Sequence, residues 1–168
     1  MVTFRGWPMD EIKKTFGKVI AIIETAKKNA YRKANEELIN MYWCVGRFIS
    51  EEAKTASYGD AFIDELAEYI QNTFPGIKGF TRRGLYRMKQ FYETYADYEN
   101  VSPLVTQISW TNNLLILSGT KSIEEKEFYL RLCIQENYSK KTVKIKLMFT
   151  PQLIKIKVQK AYVREIQV

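Results

Sequence analysis

The sequence predicts a mainly α-helical fold: a multi-helix domain with a helix-turn-helix-like unit near its middle and a short β-hairpin at its C-terminal end. Three observations predict it. From Ile12 to Ile49 apolar residues recur at steps of three and four, the period of one helical face. Further segments of helical character follow, several opened by a capping Ser, Thr or Asp and stopped at Gly or Pro. Only after Tyr138 does the apolar period fall to two, the period of a strand.

The first element reads as one long helix carrying Ile12, Phe16, Val19, Ile23, Ala26 and Ala30, then Ala34, Leu38, Met41, Val45 and Ile49. Between Ala26 and Leu38 three consecutive steps of four break the alternation, so a stutter or a bend is expected there. A stripe of this length needs a cover, either the rest of the domain or a second copy, and a homodimer through this helix is the expectation. "SYG" at 57–59 stops the element. Asp60 then caps a second helix whose core side is Phe62, Ile63, Leu66 and Ile70, and Pro75 and Gly76 end it. Thr81 caps a third helix running to about Tyr95, with Leu85, Met88, Tyr92 and Tyr95 on its inner side and Phe91 at the margin.

"NVSP" is a loop, with Pro103 opening a short turn. "SWTNNLLILSG" (109–119) starts at a capping Ser109 and stops at Gly119, and its four consecutive apolar residues are expected to be buried. Ser122 and Glu125 have capping-box spacing at the head of an amphipathic helix. Beyond Tyr138, "TVKIKLMF" and "LIKIKVQKAYV" alternate apolar residues with lysine around "TPQ". That pattern predicts a strand–turn–strand unit with Val143, Ile145, Leu147, Ile154, Ile156 and Val158 on the core side. The division expected is a helical domain over 1–138 and a basic, β-prone tail over 139–168.

The totals fit one core. The chain has 168 residues, 46% hydrophobic and 27% charged, the balance of a globular domain rather than a disordered chain. The opening segment lacks the apolar stretch of a signal peptide, and no run approaches the roughly 20 apolar residues of a spanning helix, so a cytoplasmic protein with no membrane contact is expected. Cys44 and Cys133 both sit in helical patterns and read as packed thiols. The net charge of +7 is unevenly placed: residues 1–138 hold 18 Lys and Arg against 18 Asp and Glu, whereas residues 139–168 hold 8 against 1. The tail alone makes the chain basic.

The absence of histidine removes Ser–His and Cys–His nucleophiles, the usual general base at neutral pH and most zinc sites. Asp60, Asp64 and Glu68 share one helix face, which reads as solvated acid rather than a catalytic pair. Glu-x-Lys units at Glu11/Lys13, Glu52/Lys54 and Glu124/Lys126 fall in helices, where they read as surface charge and not as a nuclease's metal-holding strands. No catalytic residue, metal ligand or cofactor is expected.

One segment concentrates positive charge. Between Glu68 and Glu93 stand Lys78, Arg82, Arg83, Arg87 and Lys89 with no acid. On the third helix Arg83, Tyr86 and Gln90 centre the outer side, flanked by Arg82 and Arg87. Arg and Gln can form paired hydrogen bonds with base edges, and Tyr can donate to phosphate. Thr81 leaves backbone N–H groups open at the helix start, a seat for a phosphate oxygen. The nucleic-acid-binding set expected is Lys78, Thr81, Arg82, Arg83, Tyr86, Arg87, Lys89 and Gln90. Gly84 costs the helix about 1 kcal/mol relative to Ala, and close approach of another backbone would explain it. "GIKG" has the GxxG form of a KH-domain clamp, but the strands that flank such a clamp are missing.

"NEELINMYWCVGRFI", "YGDAFIDELAEYI", "FPGIKGFTRRGLYRMKQFYETY" and "ISWTNNLLIL" together resemble the YhcG N-terminal domain family over about residues 20–138. The resemblance implies a bacterial, mostly helical module that usually precedes a PD-(D/E)XK nuclease and serves in DNA binding or targeting. By position that role falls on Thr81, Arg82, Arg83 and Arg87. Gly84 stands where the family usually has Asn, and Asn112 where His often precedes the Asn matching Asn113. After Tyr138–Ser139 the family continues with another helix, whereas lysine–isoleucine alternation here implies either a replaced tail on a truncated member or a basic hairpin wing. The function expected is a non-catalytic DNA-binding module. The alternative is a protein-interaction or dimerisation module that positions a nuclease or restriction partner.

Overall fold

Seven helices account for nearly all of the regular structure in the computed structural model, which describes residues 3–4, 7–55 and 59–149. A two-residue strand β1 (Thr3–Phe4) pairs antiparallel with β2 (Trp7–Pro8). Helix α1 then runs unbroken from Met9 to Thr55, about 70 Å at 1.5 Å per residue. The three steps of four between Ala26 and Leu38 are therefore absorbed within one continuous helix. Helix α2 (Gly59–Thr73), α3 (Arg82–Tyr95), the single turn α4 (Ser102–Val105), α5 (Trp110–Gly119), α6 (Ile123–Glu136) and α7 (Lys140–Phe149) follow.

The core gathers around the C-terminal half of α1. Ile39, Tyr42 and Ile49 are buried there, and α3 lays Leu85, Met88, Phe91 and Tyr95 against them. Phe91 thus takes the inner position expected for Tyr92, because its ring fits edge-on against both Trp43 (5.7 Å between centroids) and Trp110 (5.1 Å). Aromatic rings set at steep angles in this way add to their area burial by favourable edge-to-face contact. Gly46 lets the two helices meet: a Cβ there would collide with the Met88 carbonyl oxygen. Only a residue without a side chain permits that approach.

The caps expected at Ser109 and Ser122 form, whereas Asp60, expected to cap the second helix, lies inside α2, which begins at Gly59. The Ser109 hydroxyl accepts from the Asn112 amide and the Ser122 hydroxyl from the Glu125 amide, both at 3.3 Å. The Glu125 carboxylate reaches back to the Lys121 amide at 2.9 Å. In "LLIL", Ile116 and Leu117 are buried while Leu114 and Leu115 are half-buried. Asn113, wholly buried, donates from Nδ2 to the Val105 carbonyl at 2.8 Å and lies within reach of those of Ile108 and Ser109, pinning α4 to α5.

Three expectations are corrected. Residues 142–149 are not a strand but part of α7, whose first turn is capped by the Ser139 hydroxyl accepting from the Thr142 amide at 3.3 Å. The apolar pair at a spacing of four decides it: Val143 is fully buried and Leu147 packs where Gly119 leaves room, while Ile145 and Met148 point to solvent. The second proposed strand, from residue 153 on, lies outside the described residues. Cys44 is exposed rather than packed, because α1 turns Ile39, Tyr42 and Gly46 inward instead; Cys133 is buried. Lys126 is not surface charge either: its ammonium is buried and donates to the Thr120 carbonyl (2.9 Å) and hydroxyl (3.1 Å).

Candidate nucleic-acid interface

The turn between α2 and α3 is built by two glycines in left-handed conformation, Gly76 at φ +83° and Gly79 at φ +94°. Such angles are costly for residues with a Cβ. Gln71 on α2 holds the turn from below, its Nε2 within 3.3 Å of the Ile77 carbonyl and 3.4 Å of the Phe80 carbonyl. Phe80 plugs the core beside Tyr42. The first turn of α3 sits directly on this corner: a Cβ on Gly84 would collide with the carbonyl oxygen of Gly79. The close approach that Gly84 permits is to its own chain.

Thr81, in extended conformation, caps α3 by accepting the Gly84 amide on its hydroxyl at 3.3 Å. The amides of Arg82 and Arg83 belong to the first turn, where no intrahelical acceptor exists. From there the exposed side of α3 carries Arg83 and Gln90, with Tyr86 and Arg87 half-buried beside them. Among the described residues no carboxylate lies within ion-pair distance of Lys78, Arg83 or Arg87.

Two of the sequence-predicted cations do have partners. Arg82 Nε meets Asp64 Oδ1 on α2 at 2.7 Å, with both side chains about half exposed, and its guanidinium lies 5.4 Å from the centre of the Tyr86 ring. Lys89 Nζ is 3.8 Å from Glu93 Oε1, which also accepts from the Ser50 hydroxyl at 2.9 Å. Surface pairs of this kind contribute about 0–1 kcal/mol to stability, but they orient the side chains and lower the net charge at the edges of the face. Its middle remains cationic.

The structure also brings in residues that the sequence did not point to. Asp64, read only as part of an acidic face, fixes Arg82. A pocket of about 290 Å³ opens between α3 and the start of α6, lined by Gln90, Thr94, Tyr98, Lys121 and Lys126 among others. Burial holds the Lys126 ammonium below its usual pKa. Sequence spacing could not find this pocket, since its two sides are about thirty residues apart. Among the described residues no group of three or more His, Cys, Asp or Glu side chains is placed to hold a metal ion, and no helix is long and apolar enough to cross a membrane.

The helices described above agree with the mostly helical module that the YhcG-like motifs imply, and the model of the DUF1016 N-terminal domain matches residues 18–150. The chain belongs to the DUF1016 N-terminal domain family. This is the same family that the motifs resemble. The matched span runs past residue 138 and takes in all of α7, so the helix that follows Tyr138 belongs to the DUF1016 frame. The comparisons with curated proteins and with solved structures found no match.

Proposed function

We propose that this DUF1016 N-terminal domain is a non-catalytic module that binds double-stranded DNA through the outer face of α3, a targeting role like the one its family resemblance implies. One observation carries the reading. Arg83 and Arg87 stand one turn apart on the outward side of a helix braced from behind by α1, with no carboxylate of the described residues pairing with either. A helix that enters a groove needs this arrangement: an apolar back held rigidly and a polar front within reach of base edges. Arg83, Arg87 and Gln90 supply donors suited to bases and phosphates, and the open amides at the head of α3 suit a phosphate oxygen. Lys78, at the exposed tip of the corner, extends the cationic face along the backbone of the duplex.

The ion pairs sort the candidate residues by role. Arg82 is held by Asp64 and lies over Tyr86, which makes it a brace for the face before it is a contact. Fluorescence anisotropy with a short labelled duplex tests the reading. Arg83→Ala with Arg87→Ala should weaken binding at least tenfold, and Arg82→Ala considerably less. Equal affinity of the double variant and the parent would remove α3 as the contact surface.

A further inference from the structure

Every side chain of α1 from Lys13 to Ala34 is exposed. Besides Tyr31 (77% exposed), the large apolar ones are Phe16 (58%), Val19 (53%), Ile20 (54%), Ile22 (68%) and Ile23 (44%). They do not continue the side of α1 that packs into the core. At about 100° per residue, Phe16, Val19 and Ile23 lie roughly 150° around the helix from Ile39, Tyr42 and Gly46. The stripe therefore faces away from the domain and runs on past it, through the exposed Leu38 and Met41.

Helical arms are sustained mostly by packing of an apolar face rather than by intrinsic propensity, and none of this chain's described residues covers this one. The five large side chains leave about 500 Å² of apolar area open, as much as the largest patch on a typical monomer, and such patches usually serve in binding.

The order of residues along the stripe says what fits it. Within the arm, before the stripe reaches Leu38 and Met41 beside the domain, bulk lies at one end and small residues at the other: Phe16, Val19 and Ile23, then Ala26, Ala30 and Ala34. Two copies laid parallel would set Phe16 on Phe16 and Ala30 on Ala30, so the helices would have to converge along their length. Two copies laid antiparallel pair large with small at constant separation, which close packing requires. With Ala21 at the centre, Phe16 meets Ala26 of the other copy and Val19 meets Ile23, in the alternating steps of three and four that form a coiled-coil seam. Ile20 and Ile22 lie on the two shoulders and each meets its own counterpart.

We propose that the arm of α1 is a homodimerisation device, pairing antiparallel with the arm of a second copy about a two-fold axis beside Ala21. Pairing buries about 1,000 Å² in total, the lower end of specific interfaces. Lys13 and Lys27 flank each other in this register, a like-charge contact that keeps the affinity moderate. The proposal is independent of DNA binding by α3.

The test is light scattering on the full chain at up to roughly 100 μM, where a pair with micromolar affinity is populated. The expected mass is twice the 19.8 kDa of one chain. Val19→Glu with Ile23→Glu should return the single-chain mass while the thermal transition of the body is kept. For the register, Cys44→Ser chains carrying Ile22→Cys or Phe16→Cys are treated with a short thiol cross-linker. Antiparallel pairing links the Ile22→Cys chains to each other. It leaves the Phe16→Cys chains apart, because ten residues of offset separate them by about 15 Å. A single-chain mass for the parent across the concentration range would overturn the proposal, and so would efficient cross-linking of Phe16→Cys.

Discussion

Gly17→Ala and Gly46→Ala make the same chemical change in the same helix, and the structure predicts opposite signs. A Cβ at Gly17 meets nothing within 4 Å, so only the helix propensity term acts, and the variant should gain up to about 1 kcal/mol. At Gly46 the new Cβ would collide with the Met88 carbonyl oxygen and lie 2.6 Å from the Met88 carbonyl carbon and 3.1 Å from the Tyr92 Cβ. An ordinary carbon–oxygen contact is about 3.3 Å or longer, so α3 would have to move by more than an ångström relative to α1. The obstacle is mostly backbone, and no rotamer change relieves it.

Overpacking of this kind costs about 1–3 kcal/mol and occasionally more. A backbone obstacle belongs at the upper end of that range, so subtracting the propensity gain leaves a net loss of about 2 kcal/mol for Gly46→Ala. For a domain of this size that is a fall in Tm of roughly 4–8 °C. Thermal unfolding followed by circular dichroism reads both variants on one scale. A Gly46→Ala chain as stable as the parent, or one that shifts in the same direction as Gly17→Ala, would refute the close α1–α3 approach on which the placement of the candidate site rests.

Asn113→Ala leaves the carbonyls that its amide holds at the α4–α5 junction without that donor and should cost about 1–3 kcal/mol in chemical unfolding. Tyr95→Phe removes a buried hydroxyl that has no hydrogen-bond partner among the described residues, so it should be neutral or stabilising by up to about 1 kcal/mol; a clear loss would reveal a partner for that hydroxyl. Of the two thiols, exposed Cys44 should react rapidly with a chromogenic disulfide in the folded protein and Cys133 only after unfolding. Burial raises the Cys133 thiol from its ordinary 9.0 to about 11, so its protonated form is the one that the fold favours. Its contribution to stability is complete below pH 9 and is lost as pH rises towards 11, which urea titrations across that range would detect.

Much of the fold was legible because the helix boundaries are written in caps. Thr81, Ser109 and Ser122 each accept an amide in the first turn of the helix that they open, at the positions where the sequence places them. The C-terminal helix was not legible. Lysine–isoleucine alternation satisfies a period of two, but Val143 and Leu147 also satisfy a spacing of four, and short apolar runs cannot be arbitrated by period alone. Contact with Gly119 settled it, and that contact is tertiary. The long stripe of α1 was legible as a stripe, yet half of the helix buries a different side, because Gly46 rather than the apolar period sets where α3 can approach.

At the candidate site, the outward direction of Arg83 and Gln90 follows from helical geometry and could be read from spacing. The pairing of Arg82 with Asp64 could not, since it depends on how α2 and α3 cross. Lys126 escaped for the same reason: nothing local marks a lysine whose ammonium folds back onto the Thr120 carbonyl and hydroxyl.

The most direct measurement of the central claim is the salt dependence of DNA binding for the parent and for Arg83→Ala/Arg87→Ala. If both guanidinium groups neutralise phosphates, the plot of log affinity against log salt for the double variant should be shallower by about 2, since each phosphate contact contributes roughly 0.9 to the slope on duplex DNA. Parallel plots, with the two proteins losing affinity equally as salt rises, would contradict the account.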